Sequence, residues 1–399
     1  MKAVVYKGPY KMEVEQVEEP EIQEETDAIV KITSTSISGS DLRAYRGKTS
    51  VKPETILGHE AVGIVDSIGT AVQSIKEDDR VSIPANIACG FCFNCVRGYP
   101  NACLTTIKER AGAVYGCADF GQYQGCQTEY IRVPFADFNC LKLPGVPNDQ
   151  WEDDFLLLSD AFPTGFYANE LVQVQAGSTV AIFGAGTVGL MAAYCAILKG
   201  ASEVYVIDNI EERLNKAKEI GAVPIDFSKQ DPVEQIRNWR KSNVALQAAQ
   251  RQDDFRMNGV MSAIDAVGYE AKDDRNPLNQ NPNQIIENLI RVVNPTGKIG
   301  IVGFYSIFPQ EDVDVKIKKK QYEIPWDKVF EKGIQIGTGI APISRYNSFL
   351  RDLIIGGRAK PSFVVTKQMT LNEAPEAYEK IDKQESGFVK VIFKTGLER

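Results

Sequence analysis

The stretch Ser178–Asp208, STVAIFGAGTVGLMAAYCAILKGASEVYVID, decides how the rest of the chain is read. Val180–Phe183 is a short apolar run of strand type. It meets a turn carrying Gly184, Gly186 and Gly189; Leu190–Leu198 then has helical composition, and a second apolar run, Val204–Ile207, ends at Asp208. Glycine has a separate reason at each position: a tight turn, close backbone approach to a pyrophosphate, and close packing of helix on strand. The helix N-terminus behind the turn offers free N–H groups and the positive end of its dipole to phosphates. An acid about 20 residues on, here Asp208, accepts hydrogen bonds from the adenosine ribose and repels a 2′-phosphate. Strand, turn, helix, strand and acid in that order point to a dinucleotide site that favours NAD over NADP. The uncharged run Ser178–Leu198 is long enough to span a bilayer. Glycines at dinucleotide spacing in an otherwise globular chain argue against that.

A chain of 399 residues suffices for two domains, each with its own core. A composition of 43% hydrophobic and 25% charged residues fits a soluble enzyme. The net charge of −8 speaks against nucleic-acid binding, which needs a basic face, and the one basic run, Lys316–Lys320, reads as solvated surface. The apolar run before Lys7 is too short for a signal-peptide core. Eight cysteines in that setting point to metal ligands or free thiols rather than disulfides, and to a cytoplasmic enzyme.

Lys2–Tyr6, Ala28–Ser36, Ile56–Val65 and Arg80–Pro84 are strand-like with little helical periodicity, so the first part reads as a mostly β domain. Within it, Cys89, Cys92, Cys95 and Cys103 follow the spacing C-x2-C-x2-C-x7-C. Four soft ligands in one loop can wrap a tetrahedral zinc ion and close its shell. A four-cysteine iron–sulfur cluster is the rival, since the first three share a ferredoxin-like spacing, but no proline follows a fourth cysteine at the expected interval. Cys117, Cys126, Cys140 and Cys195 have no such spacing and read as small buried apolar residues. Upstream lies Gly58-His59-Glu60, which holds the only histidine of the chain, and before it Ser38-Gly39-Ser40-Asp41-Leu42. Any imidazole ligand or acid–base group must be His59.

These residues, with the four-cysteine loop, Arg110-Ala-Gly112, Ala136-Asp-Phe-Asn139, SDxxPTG at Ser159–Gly165, Asp265-Ala-Val-Gly268 and Gly297-Lys-Ile-Gly300, resemble the zinc-containing medium-chain dehydrogenases over nearly the whole chain. The resemblance is closest to their glutathione-independent formaldehyde dehydrogenase branch. It implies an α/β protein: a GroES-like β domain over residues 1–168, a Rossmann doubly wound parallel-sheet domain over 169–339, and a return to the first domain over 340–399. It implies NAD as cofactor, a structural zinc on the four cysteines, and a homodimer or homotetramer built through sheet edges near Gln335–Ile340. Expected cofactor contacts are Gly39, Thr164, Gly184, Gly186, Thr187, Val188, Gly189, Asp208, Arg213 and Val267. The polar segment Arg240–Asn258 precedes a strand at Val260–Ile264. The loop Lys272–Asn283 corresponds to an insertion that covers the cofactor in that branch, or is simply an exposed loop.

In that family a catalytic zinc is held by a cysteine, the histidine of GHE and, in this branch, an aspartate of the SDxxPTG segment. His59 and Asp160 match; the cysteine position holds Ser38. A serine hydroxyl stays protonated near neutral pH and binds zinc poorly, so only Asp160 remains as an anionic ligand unless Glu60 swings in. Ser40 of the family's proton relay is kept, but Arg43 stands where many relatives have a histidine and cannot accept a proton. The expectation is an alcohol or aldehyde oxidoreductase with an intact structural zinc, an altered catalytic site and a small-molecule substrate, without nucleic-acid or membrane partners. The alternatives are a zinc-independent reductase or redox-neutral enzyme using NAD(H), and a dead NAD-binding protein. Phe304–Pro309 and the loops near Tyr115–Tyr123 are candidates for lining a substrate pocket.

Overall fold

The protein, seen in a computed structural model, is described over residues 1–243, 258–273, 280–305 and 322–395. Lys316–Lys320 lies outside the described residues, as do parts of the segments Arg240–Asn258, Lys272–Asn283 and Phe304–Pro309. The chain forms two compact units: Met1–Pro163 with Ala341–Arg399, and Thr164–Ile340. The first boundary falls ahead of residue 168, because the helix Ala161–Leu171 that follows Asp160 already belongs mainly to the second unit.

The first unit is built on the strand Ala28–Ser36, whose Ala28, Val30 and Ile32 alternate into a core with Val65, Val81, Ile83, Ile131 and Val133. This period-two pattern is what a strand with one apolar face requires. Its sheet runs in the order Leu141–Lys142, Arg80–Ile83, Ala61–Ile68, Ala28–Ser36, Val391–Lys394, Lys367–Met369, with Tyr130–Val133 also pairing Ala28–Ser36. The last strand is antiparallel to the central one, with Ile392 opposite Ser36 and Lys394 opposite Ser34. The buried Glu152 carboxylate is well partnered here. Glu152 accepts from Thr33 and Ser34 hydroxyls at 2.5 and 2.6 Å and pairs with the Arg80 guanidinium. Burial opposes ionisation of Glu152, but these donors hold its carboxyl below the usual range.

The second unit carries a six-stranded sheet, all parallel, in the order Val223–Asp226, Glu203–Asp208, Thr179–Phe183, Val260–Asp265, Val293–Ile301, Gln335–Thr338. Thr179–Phe183 is buried along its whole length, as expected of a strand covered on both faces. Strand order reverses beside this strand, so the switch point of the doubly wound sheet coincides with the glycine turn. The uncharged run that follows is the helix Thr187–Leu198, most of which is buried in the unit. Among the described residues, no helix is long and apolar enough to cross a membrane.

Candidate functional site

The glycine turn is shaped by the packing its sequence implied. Gly184 has φ +97°, in the region that favours glycine, and a Cβ on it would meet Val267 Cγ2 at 2.6 Å. At Gly189 a Cβ would lie 1.9 Å from the Gly184 carbonyl oxygen, so only glycine lets the helix sit this close to the strand. Gly186 differs: nothing lies within 4 Å of where its Cβ would be, and it is the N-cap of the helix that begins with Thr187 and Val188. Open backbone at a helix N-terminus is a cradle for a phosphate group. Asp208 closes the second strand, where its carboxylate accepts from Ala185 N at 2.7 Å, Asn209 N at 2.8 Å and Ile210 N at 3.0 Å. Arg213 Nη1 stands 3.9 Å from the same carboxylate. A carboxylate has about four acceptor sites, so Asp208 keeps capacity for one further donor while holding the turn to the second strand. The turn and Asp208 therefore fit a dinucleotide.

In the first unit the four cysteine sulfurs lie within 4.8 Å of one another. Cys92–Cys95 is 3.4 Å, Cys92–Cys103 3.9 Å and Cys89–Cys95 4.0 Å. Four thiolates about 2.3 Å from a tetrahedral zinc stand about 3.8 Å apart. The spacing suits one ion and leaves no interior for a multi-iron cluster. Backbone N–H groups of Cys92, Leu104, Thr105 and Cys89 point at the sulfurs at 3.3–3.5 Å. Burial works against a thiolate at Cys92, but such donors outweigh it and bring its pKa down to about 6; the Cys103 thiol is lowered in the same way. Asn139, wholly buried, braces the loop by accepting from Ala88 N and donating to Ala88 O at 2.8 Å and Pro134 O at 2.7 Å. Cys126, Cys140 and Cys195 are buried free thiols and Cys117 is half-buried and free; burial pushes all four pKa values up.

His59 and Asp160 are brought together, with Nε2 to Oδ2 at 3.3 Å. On the other side of the ring Asp41 Oδ1 stands 3.7 Å from Nδ1. Asp41 ties the neighbouring loops together, accepting from Ser38 N at 2.9 Å, Gly58 N at 3.2 Å and Gln127 Nε2 at 3.3 Å. Burial alone would lower the His59 pKa. The Asp160 hydrogen bond and the charges of Asp41, Asp160 and Glu60 overcome it and raise the pKa to about 9. Ser38 precedes the helix Gly39–Tyr45 and its hydroxyl lies 3.3 Å from that of Ser40. Gly39 opens this helix on an exposed face, whereas Thr164 is the first residue of the second unit.

Glu60 does not join His59 and Asp160. Its carboxylate is wholly buried against the Lys390 ammonium and the Ser36 hydroxyl. Among the described residues the four cysteines are the one group of three or more Cys, His, Asp or Glu side chains gathered for a metal ion. His59 and Asp160, with a neutral Ser38 and an occupied Glu60, do not fit a tightly held zinc. The motif around Ser38 contains Asp41 but does not show its role, and Lys390 lies in no motif. Asp41 was discoverable from its place three residues after Ser38, while Lys390 carries no local signal. The loops near Tyr115–Tyr123 border a concavity of about 680 Å³ lined by Lys108, Arg110, Asp119, Gln122, Tyr123 and Arg132 among others. None of Ser38, His59 or Asp160 lines it, and Tyr115 itself is buried in the core.

A GroES-like β unit with a four-cysteine loop and a Rossmann unit with a dinucleotide turn define a medium-chain dehydrogenase. The family described as "Alcohol dehydrogenase GroES-like domain" matches residues 24–145. The chain is 37% identical over 392 residues to a glutathione-independent formaldehyde dehydrogenase of Pseudomonas aeruginosa, covering 96% of this chain and 94% of that one. It is 34% identical over 399 residues to a formaldehyde dismutase of Pseudomonas putida, covering 96% and 95%. Among solved structures it is similar to the alcohol dehydrogenase TADH from Thermus sp. ATN1, with a TM-score of 0.81, 31% identity and 99% of each chain covered. The chain belongs to the zinc-containing medium-chain dehydrogenase/reductase superfamily, in its formaldehyde dehydrogenase-like branch, and is an oxidoreductase.

Proposed function

We propose that the protein is an NAD(H)-dependent oxidoreductase of a small alcohol or aldehyde, in which Ser38 has weakened the second zinc position. The observation that carries this is the open backbone at Gly186, with Asp208 behind it, in a chain whose His59–Asp160 pair lacks the family's thiolate. When bound, the nicotinamide supplies the hydride acceptor or donor. The chain's own residues do the rest. The N–H groups behind Gly186 hold the pyrophosphate and Asp208 selects an unphosphorylated ribose. His59, oriented by Asp41 through Nδ1, and Asp160 form the polar end that receives the substrate oxygen. The Ser38 and Ser40 hydroxyls lie 3.3 Å apart, and Arg43 at the position of the relatives' histidine cannot take a proton onward, so proton exchange with solvent is slower than in relatives with a histidine there. The four cysteines hold a structural zinc with no open position and no part in the chemistry.

A redox-neutral cycle, in which one aldehyde is oxidised as another is reduced on retained cofactor, is the second possibility. It is favoured by the 34% identity to a protein named formaldehyde dismutase. Nicotinamide absorbance during incubation with formaldehyde and short alcohols separates the two. Net NADH formation supports the dehydrogenase; formate and methanol in equal amounts without net NADH support the dismutase; neither product from any simple alcohol or aldehyde refutes both. A homodimer or homotetramer is proposed through Gln335–Thr338. It is the last strand in its sheet order, and exposed Trp326 and Phe330 lie on the preceding helix. Light scattering that finds a monomer at micromolar concentration would remove that assignment. The cytoplasm is the proposed location, since eight free cysteines suit a reducing compartment.

A further inference from the structure

We infer that Lys390 withholds Glu60 from the His59–Asp160 site, so that this chain has no reserve ligand for the thiolate it lacks; this rests on the weakened-zinc proposal above. Glu60 directly follows His59, and a peptide rotation there is the obvious way to supply a second anion. Its carboxylate is instead held on Oε2 by both the Lys390 ammonium and the Ser36 hydroxyl. Glu60 and Lys390 are each 1% exposed. Lys390 also donates to Ile37 O at 3.1 Å, one residue before Ser38.

The lysine's backbone is fixed and its ammonium is also tied to Ile37 O, so it is not free to move with the glutamate. It leads into the strand Val391–Lys394, which pairs with Ala28–Ser36, and Ile37 N donates to Val391 O at 3.3 Å. If Glu60 turned towards a metal beside His59, the ammonium would be left buried without a counter-charge, which is strongly unfavourable. The remaining acid near His59 is no substitute. Asp41 faces Nδ1, opposite the Nε2 side occupied by Asp160, and its oxygens already accept from Ser38 N, Gly58 N and Gln127 Nε2. A divalent ion at this place would find one anionic ligand, Asp160.

The test is a cobalt(II) titration of the metal-stripped full-length protein. Thiolate charge-transfer absorption reports the four-cysteine loop, and total bound cobalt reports any second ion. Lys390→Met releases Glu60 and is expected to tighten the second ion by about tenfold or more, the usual scale for a change in the groups around a metal ligand. Lys390→Arg, which keeps the pair, should not. Adding Glu60→Gln to Lys390→Met should abolish the gain. If Lys390→Met does not fold, Glu60→Gln alone still decides. It should leave the second-ion affinity of the otherwise unmodified protein unchanged, because Glu60 is not a ligand. A tenfold loss in Glu60→Gln, or no gain in a folded Lys390→Met, overturns the inference. Ser38→Cys tests the underlying proposal separately: failure to raise second-ion affinity refutes the role of Ser38 and leaves the lysine variants to be judged on their own.

Discussion

Replacing Gly186 and Gly189 by alanine, one at a time, separates cofactor binding from folding. At Gly186 the backbone has φ −66° and ψ 178°, which alanine adopts freely, and its Cβ would meet nothing within 4 Å. Stiffening the unfolded chain stabilises by about 0.4–1 kcal/mol. Alanine is a poorer N-cap than glycine, a cost of similar size, so the net change should stay within about 0.5 kcal/mol. The new methyl group nevertheless fills the space a pyrophosphate approaches. NADH should bind at least about tenfold more weakly, a loss of about 1.4 kcal/mol or more. At Gly189 the Cβ would sit 1.9 Å from Gly184 O and 2.8 Å from Gly184 C, so backbone must move. Overpacking of this kind costs about 1–3 kcal/mol, and at about 2–4 °C per kcal/mol for a unit of this size the melting temperature should fall by roughly 2–12 °C. NADH fluorescence titration and calorimetry read the two effects. Gly186→Ala binding NADH as the parent does, or melting as early as Gly189→Ala, would refute these roles for the two glycines.

Three further outcomes are expected. Cys92→Ser or Cys103→Ser should lose the zinc bound by the loop and lower the melting temperature, since structural zinc binding is coupled to folding; zinc content and melting equal to the parent would remove the structural-site assignment. The protein should bind NADH more tightly than NADPH, and Asp208→Ala should erode that preference by about tenfold, the scale of a hydrogen bond to a charged group; a parent that binds NADPH equally well contradicts it. His59 is the only histidine, so its imidazole gives one resolvable NMR signal. In metal-free protein it should titrate near pH 9, raised from 6.5, and move down in Asp160→Asn. Because the folded value is raised, this stabilisation is complete below pH 6.5 and is lost as the pH rises through about 9. A midpoint at or below 6.5 would show that the flanking carboxylates do not hold the proton.

What was legible in the sequence is what local geometry imposes on residue type. Gly184 and Gly189 stand where a side chain would collide with Val267 or with backbone, so their spacing announces the turn. The cysteines announce their loop because four ligands of one ion must lie close along the chain or be brought close by it. The Glu60–Lys390 pair spans 330 residues, and it exists because the register of the last strand sets Ile392 against Ser36. No window of sequence contains that register. The same holds for Arg80 with Glu152, whose contact depends on where the segment after Leu141–Lys142 folds back. Asp41 lies between these cases: it sits inside a recognisable motif, but its contacts with Gly58 and Gln127 are long-range.

Charge accounting explains why Ser38 changes more than one ligand. With a thiolate at that position, the buried neighbourhood would hold thiolate, Asp41 and Asp160 as anions around one imidazole, an arrangement that a divalent cation neutralises and that is strained without one. With Ser38 neutral, a protonated His59 between Asp41 and Asp160 already offsets one of the two carboxylates at short range. Glu60 adds no further demand, because Lys390 neutralises it in place. Metal loss from such a site leaves paired groups rather than an unbalanced cluster of anions. On the proposed reading, Ser38 would weaken the attraction of the site for zinc and, by the same substitution, lower the cost of the site standing without it.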